Sequence, residues 1–492
     1  MSFLRFSTAI LAIIALLSPG LAAGGFENAP FGIQARGMAG AFRAVADDWT
    51  AAHYNPAGYA RLQDNQLGGS VGLIHLRHEL NPDYRLGGTY ELGVFNDQVN
   101  YNKHEVYSNP SGGFLARLPI MGEIVAGFSI FQPFDNNITW TLYDLPLAYN
   151  DSLTTPSDQY SSNLDVVAFQ LTVAREIVEE KVSFGLGLQV LRADLIYTNL
   201  LFRDNPYEGT PLAVRPWDKI TEWNHNDGYG WGFGLRAGLM FDLTDKLNLG
   251  LTGSMPFDIT VEGTSKLEYY MPLNSDLVGL GSIDGEDYDP GTPEYLFASG
   301  TKIVDTADFE AELKLPASMA MGLAYSVSER LLIALDAEYT FWSSYDGLNL
   351  VFSNHRGLTG AADTSAFVRE FFTADVSYPV DWKNSARVAL GARYHFRDLL
   401  TVLAGWALDQ SPAGESGNLS PQFIDTGDKR TFSSGIIYHH NQWDFGLAGS
   451  YTRYPDLTLS AEDSDSDGLP DYMTGQYKAS TYETFLSFNY RF

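Results

Sequence analysis

The chain has 492 residues, including 47 Gly, 28 Tyr, 30 Phe and 9 Trp, and it contains no Cys. A formal net charge of −29 opposes binding to nucleic-acid phosphates. The absence of Cys excludes disulfides and Cys-ligated metals. No apolar run of about 20 residues follows the N-terminal segment, so no helical membrane span is expected in the mature chain. High Gly and aromatic content with 18% charged residues favours an all-β protein, a transmembrane antiparallel β-barrel.

Residues 1–23 have the pattern of a signal peptide for export. Arg5 is the only charged residue, residues 9–17 form a short apolar stretch, and Ala22 and Ala23 supply small residues at a cleavage site. The apolar stretch is too short for a membrane anchor. A buried N-terminal helix is the alternative reading.

Residues 24–65 lack the alternation of a strand and are rich in Ala and Gly. The lumen of a wide barrel must hold either water or a plug. We therefore expect this segment to form an N-terminal hatch inside the barrel, with residues 66–492 forming the wall. We also expect Asn55 to hydrogen-bond backbone within the hatch and Pro56 to fix the turn that follows it.

From residue 66 onward, apolar and polar residues alternate in the way that outer-membrane strands require. At the C-terminus, Tyr482, Leu486, Phe488, Tyr490 and Phe492 share one parity, whereas Glu483 and Arg491 share the other. Short turns alternate with long polar connections, as expected for periplasmic and extracellular ends. The fourteen stretches predicted as strands are 66–80, 112–118, 123–133, 162–177, 181–197, 228–243, 247–262, 309–327, 331–352, 380–397, 399–411, 430–441, 443–454 and 479–492.

An ordered set of motifs resembles the FadL/TodX family of outer-membrane transporters for long-chain fatty acids and other hydrophobic molecules. The resemblance covers nearly the whole mature chain. The matching segments are Gly25-Phe26, the Gly-rich residues 37–40, the acidic pair Asp47-Asp48, Asn55-Pro56-Ala57, residues 315–346, residues 382–396 and Asp409-Gln410-Ser411-Pro412.

The resemblance implies a monomeric barrel of about 14 strands in the outer membrane of a Gram-negative bacterium, in contact with outer-membrane lipid. It also implies hydrophobic ligands, with long-chain fatty acids as the expected substrate class, and no cofactor. Capture would occur on the third and fourth extracellular loops. The ligand would then pass the hatch, where Phe26, Asp47, Asp48, Asn55, Pro56 and Ala57 match the family, and leave sideways through a gap at a kinked third strand.

The third and fourth extracellular loops are predicted at residues 198–227 and 263–308. Both carry apolar clusters, which are costly on an acidic surface unless they bind a ligand or each other. A ligand groove and simple packing of the two loops both remain open. The groove candidates are Leu200, Leu201, Phe202, Tyr269, Tyr270 and Met271.

Pro133 lies at the end of the predicted third strand. Proline cannot donate a hydrogen bond to a sheet, so it marks a bulge, an edge or a strand end. A bulge would produce a local opening in the wall. The alternative is that Pro133 only begins the long loop to residue 161.

A fatty acid needs an apolar tunnel and a cation for its carboxylate. Strand parity places Arg117, Arg236, Lys383, Arg387 and Arg393 on the lumen side. These cations could bind a ligand, or they could pair with the hatch and the wall carboxylates Asp336 and Glu338. We expect at least one of them to lack an acidic partner if the substrate is a fatty acid, with Arg387 and Arg393 as the candidates. An uncharged hydrocarbon would need no cation.

The acidic segment from Asp463 to Asp471 resembles a short calcium loop. Asp463, Asp465, Asp467 and Asp471 supply oxygen ligands, and Gly468 follows as in such loops. Position 12 is Thr474, so the full EF-hand pattern is absent. A structural Ca²⁺ site and a solvated acidic loop are the two readings.

Two other function classes are less favoured. No GxSxG motif or compelling Ser/His spacing supports an outer-membrane enzyme. A surface-binding adhesin would not need an internal hatch. Within the transport interpretation, fatty acids, alkanes and aromatic hydrocarbons remain open as ligands.

Overall fold

A computed structural model describes most of the chain after the first 24 residues. Within the described part, fourteen antiparallel strands form a closed barrel, as the sequence predicts. The described residues are 25–27, 31–83, 85–86, 90–91, 95–103, 105–119, 124–145, 149–207, 219–274, 282–283, 286–287, 292–413, 420–423, 425–460 and 473–492. The predicted signal peptide therefore lies outside the described residues.

The wall follows the chain from strand to neighbouring strand and closes when the first strand pairs with the last, from Gln66 opposite Arg491 to Pro82 opposite Gly475. The strands are β1 Gln66–Pro82, β2 Val106–Leu118, β3 Ile124–Trp140, β4 Tyr160–Val178, β5 Val182–Asp204, β6 Lys219–Thr244, β7 Leu247–Pro256 with Ile259–Tyr270, β8 Lys302–Leu313 with Ser318–Ser326, β9 Leu331–Thr340 with Gly347–Ser353, β10 Val376–Pro379 with Ser385–Phe396, β11 Leu400–Asp409, β12 Lys429–His440, β13 Trp443–Arg453 with Leu457–Leu459, and β14 Gly475–Arg491.

The alternation of the sequence sets the two faces of the wall. Tyr229, Trp231 and Phe233 are exposed on the outside, whereas Asp336 and Glu338 are buried on the inside. An outward apolar band facing lipid and a polar lumen are the expected arrangement for a membrane barrel. Both chain ends of the wall lie on the side of the short connections, because Gln66 pairs beside Arg491.

Four consecutive strands are interrupted at adjacent positions, which the sequence did not predict. The interruptions fall at residues 257–258 of β7, 314–317 of β8, 341–346 of β9 and 380–384 of β10. Register places each gap beside the next, since Ser254 pairs with Ser318, Ser318 with Thr340, and Thr340 with Ser385. We call this line of gaps the seam.

The ladder between β2 and β3 stops partway up the wall. Their pairing runs from Leu118 opposite Ile124 to Gly112 opposite Ile130. In the described stretches beyond that point, residues 106–111 of β2 pair with β1, and β3 pairs with β4. The register of β3 also shifts between Phe131 and Phe134, where a bulge contains Pro133. The strand continues to Trp140, so the alternative that Pro133 begins the loop is wrong.

The free edge of β3 is occupied by the start of the N-terminal segment. Glu27 forms a bridge with Phe134, and the Asp135 backbone amide donates to the Phe26 carbonyl over 3.0 Å. Nearer the end of β3 at Trp140, the Lys103 amide donates to the Thr139 carbonyl over 2.9 Å. β2 and β3 are not paired with each other beyond Gly112 and Ile130. We call this unpaired part of the wall, up to the Lys103–Thr139 contact, the β2–β3 window.

The helices are short, and none among the described residues is long and apolar enough to cross a membrane. In the N-terminal segment they are α1 Ile33–Gly37, α2 Ala51–Tyr54 and the 3₁₀ helix Pro56–Arg61; in the long connections they are α3 Pro293–Leu296, α4 Ala361–Thr364 and α5 Ala366–Thr373. Further 3₁₀ turns span Trp342–Ser344 and Arg397–Leu399, and two-residue strands lie at Arg85–Leu86, Tyr90–Glu91, Asn100–Tyr101, Ser282–Ile283 and Glu286–Asp287.

Candidate functional site

Two buried arginines join the N-terminal segment to the wall. Arg36 of α1 pairs with Glu483 of β14. Arg43 pairs with Glu338 over 2.6 Å and with Asp336 over 3.4 Å. The Asp336 carboxylate also accepts hydrogen bonds from the backbone amides of Phe42 and Arg43. Because these charges are removed from water, each needs its partner, and the segment is fixed to two separate parts of the wall, β9 and β14.

A second set of contacts lies toward the short connections. Arg393 of β10 pairs with Asp47 over 2.5 Å and donates to the Gln34 side chain over 2.6 Å. Gln34 in turn donates to Asp47 and Asp48, each over 3.0 Å. Burial raises the pKa of Asp48 to about 6, although hydrogen bonds from Thr50 oppose the shift. Arg393 therefore ties β10 to the N-terminal segment, and its role as an unpaired counter-charge for a ligand is wrong.

Asn55 connects two parts of the N-terminal segment to each other and to the wall. Its side-chain amide donates to the Arg43 carbonyl over 2.9 Å and to the Leu239 carbonyl over 3.1 Å. Its side-chain oxygen accepts from the Ala57 amide over 3.2 Å, and Pro56 begins the 3₁₀ helix. The turn packs so closely against β5 and β6 that glycine is needed at the contact points.

Adding one methyl group at Gly238 should dislodge this turn. An Ala Cβ at residue 238 would lie 2.1 Å from the Asn55 side-chain oxygen, so Gly238→Ala should destabilise the folded protein by about 1–3 kcal/mol. Heat-induced unfolding in detergent measures the loss. Gly253→Ala is the matched control, because the nearest atom would lie 3.8 Å away. Equal melting of both variants would contradict the tight contact.

A polar cavity of about 170 Å³ lies beside the N-terminal segment on the side of the long connections. Burial and the neighbouring Glu338 raise the pKa of Glu27, one of its lining groups, to about 8. The charged lining residues are Arg36, Arg43, Arg387, Lys429, Glu27, Asp135, Glu338, Asp409, Asp425 and Glu483.

The cations predicted in the lumen differ in their partners and positions. Arg387 pairs with Asp409 over 2.8 Å and donates to the Ala39 carbonyl, so it does not lack an acidic partner. Arg117 donates to the Leu62 carbonyl over 2.5 Å. Lys383 is exposed between the two parts of β10, so strand parity does not assign it to the lumen. Parity fails there because the strand is interrupted at the seam.

Arg236 and Lys429 are the lumen cations with the weakest acidic pairing. Arg236 donates to the His53 carbonyl over 2.8 Å and forms no ion pair within the described residues. Lys429 was missed by sequence reasoning, although its parity with Thr431 points it inward. Its ammonium lies 3.8 Å from the Asp425 carboxylate and 5.4 Å from the Tyr454 ring. Lys429 also lines the polar cavity.

Phe26 lies in a buried aromatic cluster next to this cavity. Its ring centre is 4.7 Å from that of Trp342, 5.1 Å from Tyr345 and 5.7 Å from Trp382. Phe423 packs on Trp382 with centres 4.6 Å apart and also lines the cavity. Sequence reasoning did not identify Trp342, Tyr345 and Trp382. They lie in the seam, where the strands are interrupted and alternation does not show which residues face the lumen.

The aromatic cluster continues into an apolar interior in the extracellular half of the barrel. Leu195, Val261, Phe309 and Leu350 belong to the same buried cluster as Phe26. Helix α5 covers its outer end: Val368 and Phe372 are buried, and the Phe372 carbonyl accepts from the Tyr269 hydroxyl over 2.8 Å. Apolar surface thus extends from the long connections to Phe26.

The six predicted groove residues do not form one loop surface. Leu200, Leu201 and Phe202 lie in β5, and Tyr269 and Tyr270 lie in β7, so the predicted loop bounds are wrong. Pairing continues above the expected strand ends, with Leu200 opposite Trp223 and Tyr269 opposite Glu222. The residues belong to two separate buried clusters. Leu200 and Tyr270 lie in one, and Tyr269 and Met271 lie in the other.

The predicted calcium ligands Asp463, Asp465, Asp467 and Asp471 lie outside the described residues, so this site stays a prediction. Among the residues that the structure describes, no group of three or more His, Asp or Glu side chains is arranged to hold a metal ion.

A closed antiparallel barrel with an outward apolar band and a polar inner face is the fold of an outer-membrane protein. The chain belongs to the family described as outer membrane protein transport protein (OMPP1/FadL/TodX), whose model matches residues 14–492. This family consists of transport channels of Gram-negative outer membranes and not of enzymes.

Relatives by sequence include a 47 kDa outer membrane protein of Pasteurella multocida, 25% identical over 54% of the chain; the chain spans about half of that relative, 51% of its length. The long-chain fatty acid transport protein of Salmonella typhi is 24% identical, covering 88% of each chain. By fold, the chain is similar to a Pseudomonas aeruginosa FadL homologue, with a TM-score of 0.70, 20% identity and coverage of 95% and 99%. It is also similar to the P. putida toluene transporter TodX, with a TM-score of 0.65, 16% identity and the same coverage.

Proposed function

We propose that the protein takes up long-chain fatty acids across the outer membrane. The supporting observation is that a loosely paired, partly buried cation, Lys429, stands where apolar lining meets a polar cavity. Lys429 lines the cavity, and Phe423 and Phe26 link that cavity to the apolar interior. A fatty acid has the same division, with a long apolar chain and one carboxylate. The carboxylate would take the place of Asp425 beside Lys429 as a charge-assisted partner.

Entry from outside would pass beneath α5. The Arg203 side chain donates to the Phe371 carbonyl over 3.0 Å, and Phe297 stacks on Phe372 with ring centres 5.7 Å apart. Few polar contacts hold this helix to the strands, while its buried face is apolar. An acyl chain could replace Val368 and Phe372 against the same surface without exposing it to water.

Exit would occur sideways through the β2–β3 window. There the wall lacks ladder hydrogen bonds, and the Phe26–Glu27 backbone occupies the edge of β3. Displacing Phe26 would open a route from the aromatic cluster to the lipid; it would break the bridge to Phe134 but no pairing between two wall strands. The N-terminal segment would then act as the plug: Arg36 and Arg43 hold it in place, and only its first residues need to move.

Lys429→Met tests the head-group role. The variant keeps the apolar bulk and removes the charge, so the affinity for oleate should fall about tenfold or more, as expected for a hydrogen bond to a charged group. Affinity for hexadecane should be unchanged. Binding of both ligands to the purified barrel is the measurement, and Lys383→Met, an exposed cation, is the control. Unchanged oleate binding, or equal loss of both ligands, would contradict the proposal.

An aromatic hydrocarbon is the second candidate ligand. The rings of Phe26, Trp342 and Tyr345 lie edge-to-face, a geometry that another aromatic ring could join. The likeness in fold to the toluene transporter TodX is compatible with this reading. Tighter binding of toluene than of oleate, with no effect of Lys429→Met, would favour it over a fatty acid.

A further inference from the structure

A row of basic side chains crosses the outer face of the barrel. Arg430 of β12 pairs with Arg453 of β13, Arg453 with Ser480 of β14, and Ser480 with Arg77 of β1. The three arginines are exposed. Because neighbouring strands lie about 4.8 Å apart, three guanidinium groups fall within roughly 15 Å of wall. Lys478, exposed on the same face two residues from Ser480, adds a fourth cation.

The height of this row relative to the membrane follows from the residues below it. Two residues further along each strand, Phe432, Tyr451 and Tyr482 pair in the same order, and the rings of Tyr451 and Tyr482 are 5.0 Å apart. Such an aromatic band marks the boundary between hydrocarbon and head groups. β12 begins, and β13 ends, at a long connection. The arginines therefore lie at the level of the extracellular head groups.

The charges in this row are poorly compensated by the protein. Arg430 and Arg453 form no ion pair within the described residues, although the chain has a net charge of −29. Only Arg77 has an acidic partner there, Glu79 at 3.3 Å. Like charges directly opposite each other destabilise a sheet. An anion bound across the row would remove this repulsion.

Another outward arginine shows the contrasting arrangement. Arg192 of β5 pairs with Asp194 over 2.6 Å and lies over the Tyr229 and Trp231 rings at 5.4 and 5.8 Å. It also lies beside outward aromatic rings and is partly exposed, but the protein itself satisfies its charge. Arg192 thus differs from Arg430 and Arg453, for which no ion pair is found within the described residues.

We infer that Arg77, Arg430 and Arg453 bind the phosphate groups of a phosphorylated glycolipid in the outer leaflet. Guanidinium groups match phosphate with paired, charge-assisted hydrogen bonds. A lipid fits better than a soluble anion because the row stands directly above Phe432, Tyr451 and Tyr482. One molecule can then place phosphate on the arginines and acyl chains on the aromatic and apolar band. The site concerns the lipid around the barrel and is independent of the transported ligand.

The experiment compares lipopolysaccharide binding by the full-length barrel in uncharged detergent. For Arg430→Gln with Arg453→Gln, affinity should fall about 25-fold, from roughly fivefold for each arginine near an anionic lipid surface. The Arg192→Gln control should bind within about twofold of the unchanged protein. Without lipid, the double variant should melt no lower than the unchanged protein, because it loses a like-charge pair. Single Arg453→Gln, with a fivefold expected loss, serves if the double variant does not fold.

Three results would overturn the inference. The first is equal affinity of the Arg453→Gln variant and the unchanged protein. The second is equal binding of lipopolysaccharide from which the phosphates have been removed. The third is stabilisation by free pyrophosphate as large as that by the glycolipid, since this would assign the row to a soluble anion.

Discussion

Replacing Arg43 with Met should open the barrel to ions. The substitution leaves the buried Asp336 and Glu338 without their shared cation, and breaking a buried pair in this way costs about 3–5 kcal/mol. Because Arg43 belongs to the N-terminal segment and both acids to the wall, the cost falls on the docked state of the segment. We expect steady ion conductance in planar bilayers and a lower melting temperature.

Arg369→Met is the control for this experiment. Arg369 pairs with Asp363 on the exposed surface of the long connection that contains α5, and such pairs contribute about 0–1 kcal/mol. This variant should stay closed and melt with the unchanged protein. If Arg43→Met also stayed closed, with no new conductance, the buried pairs would not be what holds the plug.

Cross-linking the N-terminal segment to β3 should stop uptake. The chain has no Cys, so Glu27→Cys with Phe134→Cys introduces a single pair at a bridge between the segment and the strand. Residues facing each other in an antiparallel bridge have Cα atoms about 4.5–5.5 Å apart, which suits a disulfide. Oxidation should abolish oleate uptake, and a reductant should restore it to the level of the two single variants.

A second cysteine pair is the control. It tests whether loss of uptake depends on where the disulfide lies or only on oxidation. Ser434 and Gly449 face each other on β12 and β13, far from the window, and a disulfide there should leave uptake unchanged. Full uptake by the oxidised Glu27–Phe134 pair would mean that the first residues of the segment need not leave β3. The lateral route through the window would then be wrong.

Strand parity carried most of the prediction of the fold. It placed Tyr482, Leu486 and Phe488 outside and Glu483 inside. This works because one face of each strand contacts lipid and the other faces the lumen, so apolar and polar residues alternate. It could not give the register between strands, so the unpaired edge of β3 beyond Ile130 was not foreseen. Pro133 indicated only that some irregularity was present. The gap itself depends on where β2 begins, which local sequence does not determine.

Site prediction failed where strands were interrupted or longer than expected. Lys383 was given a lumen position by extending the β10 parity through residues 380–384, which are not a strand. Leu200 was assigned to a loop because the polar residues 224–228 hid the continuation of β6 that pairs with β5. Lys429 was overlooked because its importance depends on Asp425 and Tyr454, contacts that only the folded chain reveals.

The seam gives the wall an uneven stiffness. Continuous hydrogen-bonded strands resist bending along their length, whereas β7 to β10 are each divided into a lower and an upper part at neighbouring positions. This side of the barrel can therefore crease, with the upper parts tilting while the lower parts stay rigid. Trp342, Tyr345 and Trp382 lie along the crease and contact Phe26. We therefore expect a tilt of the extracellular half to shift Phe26, which contacts β3 on the other side of the lumen.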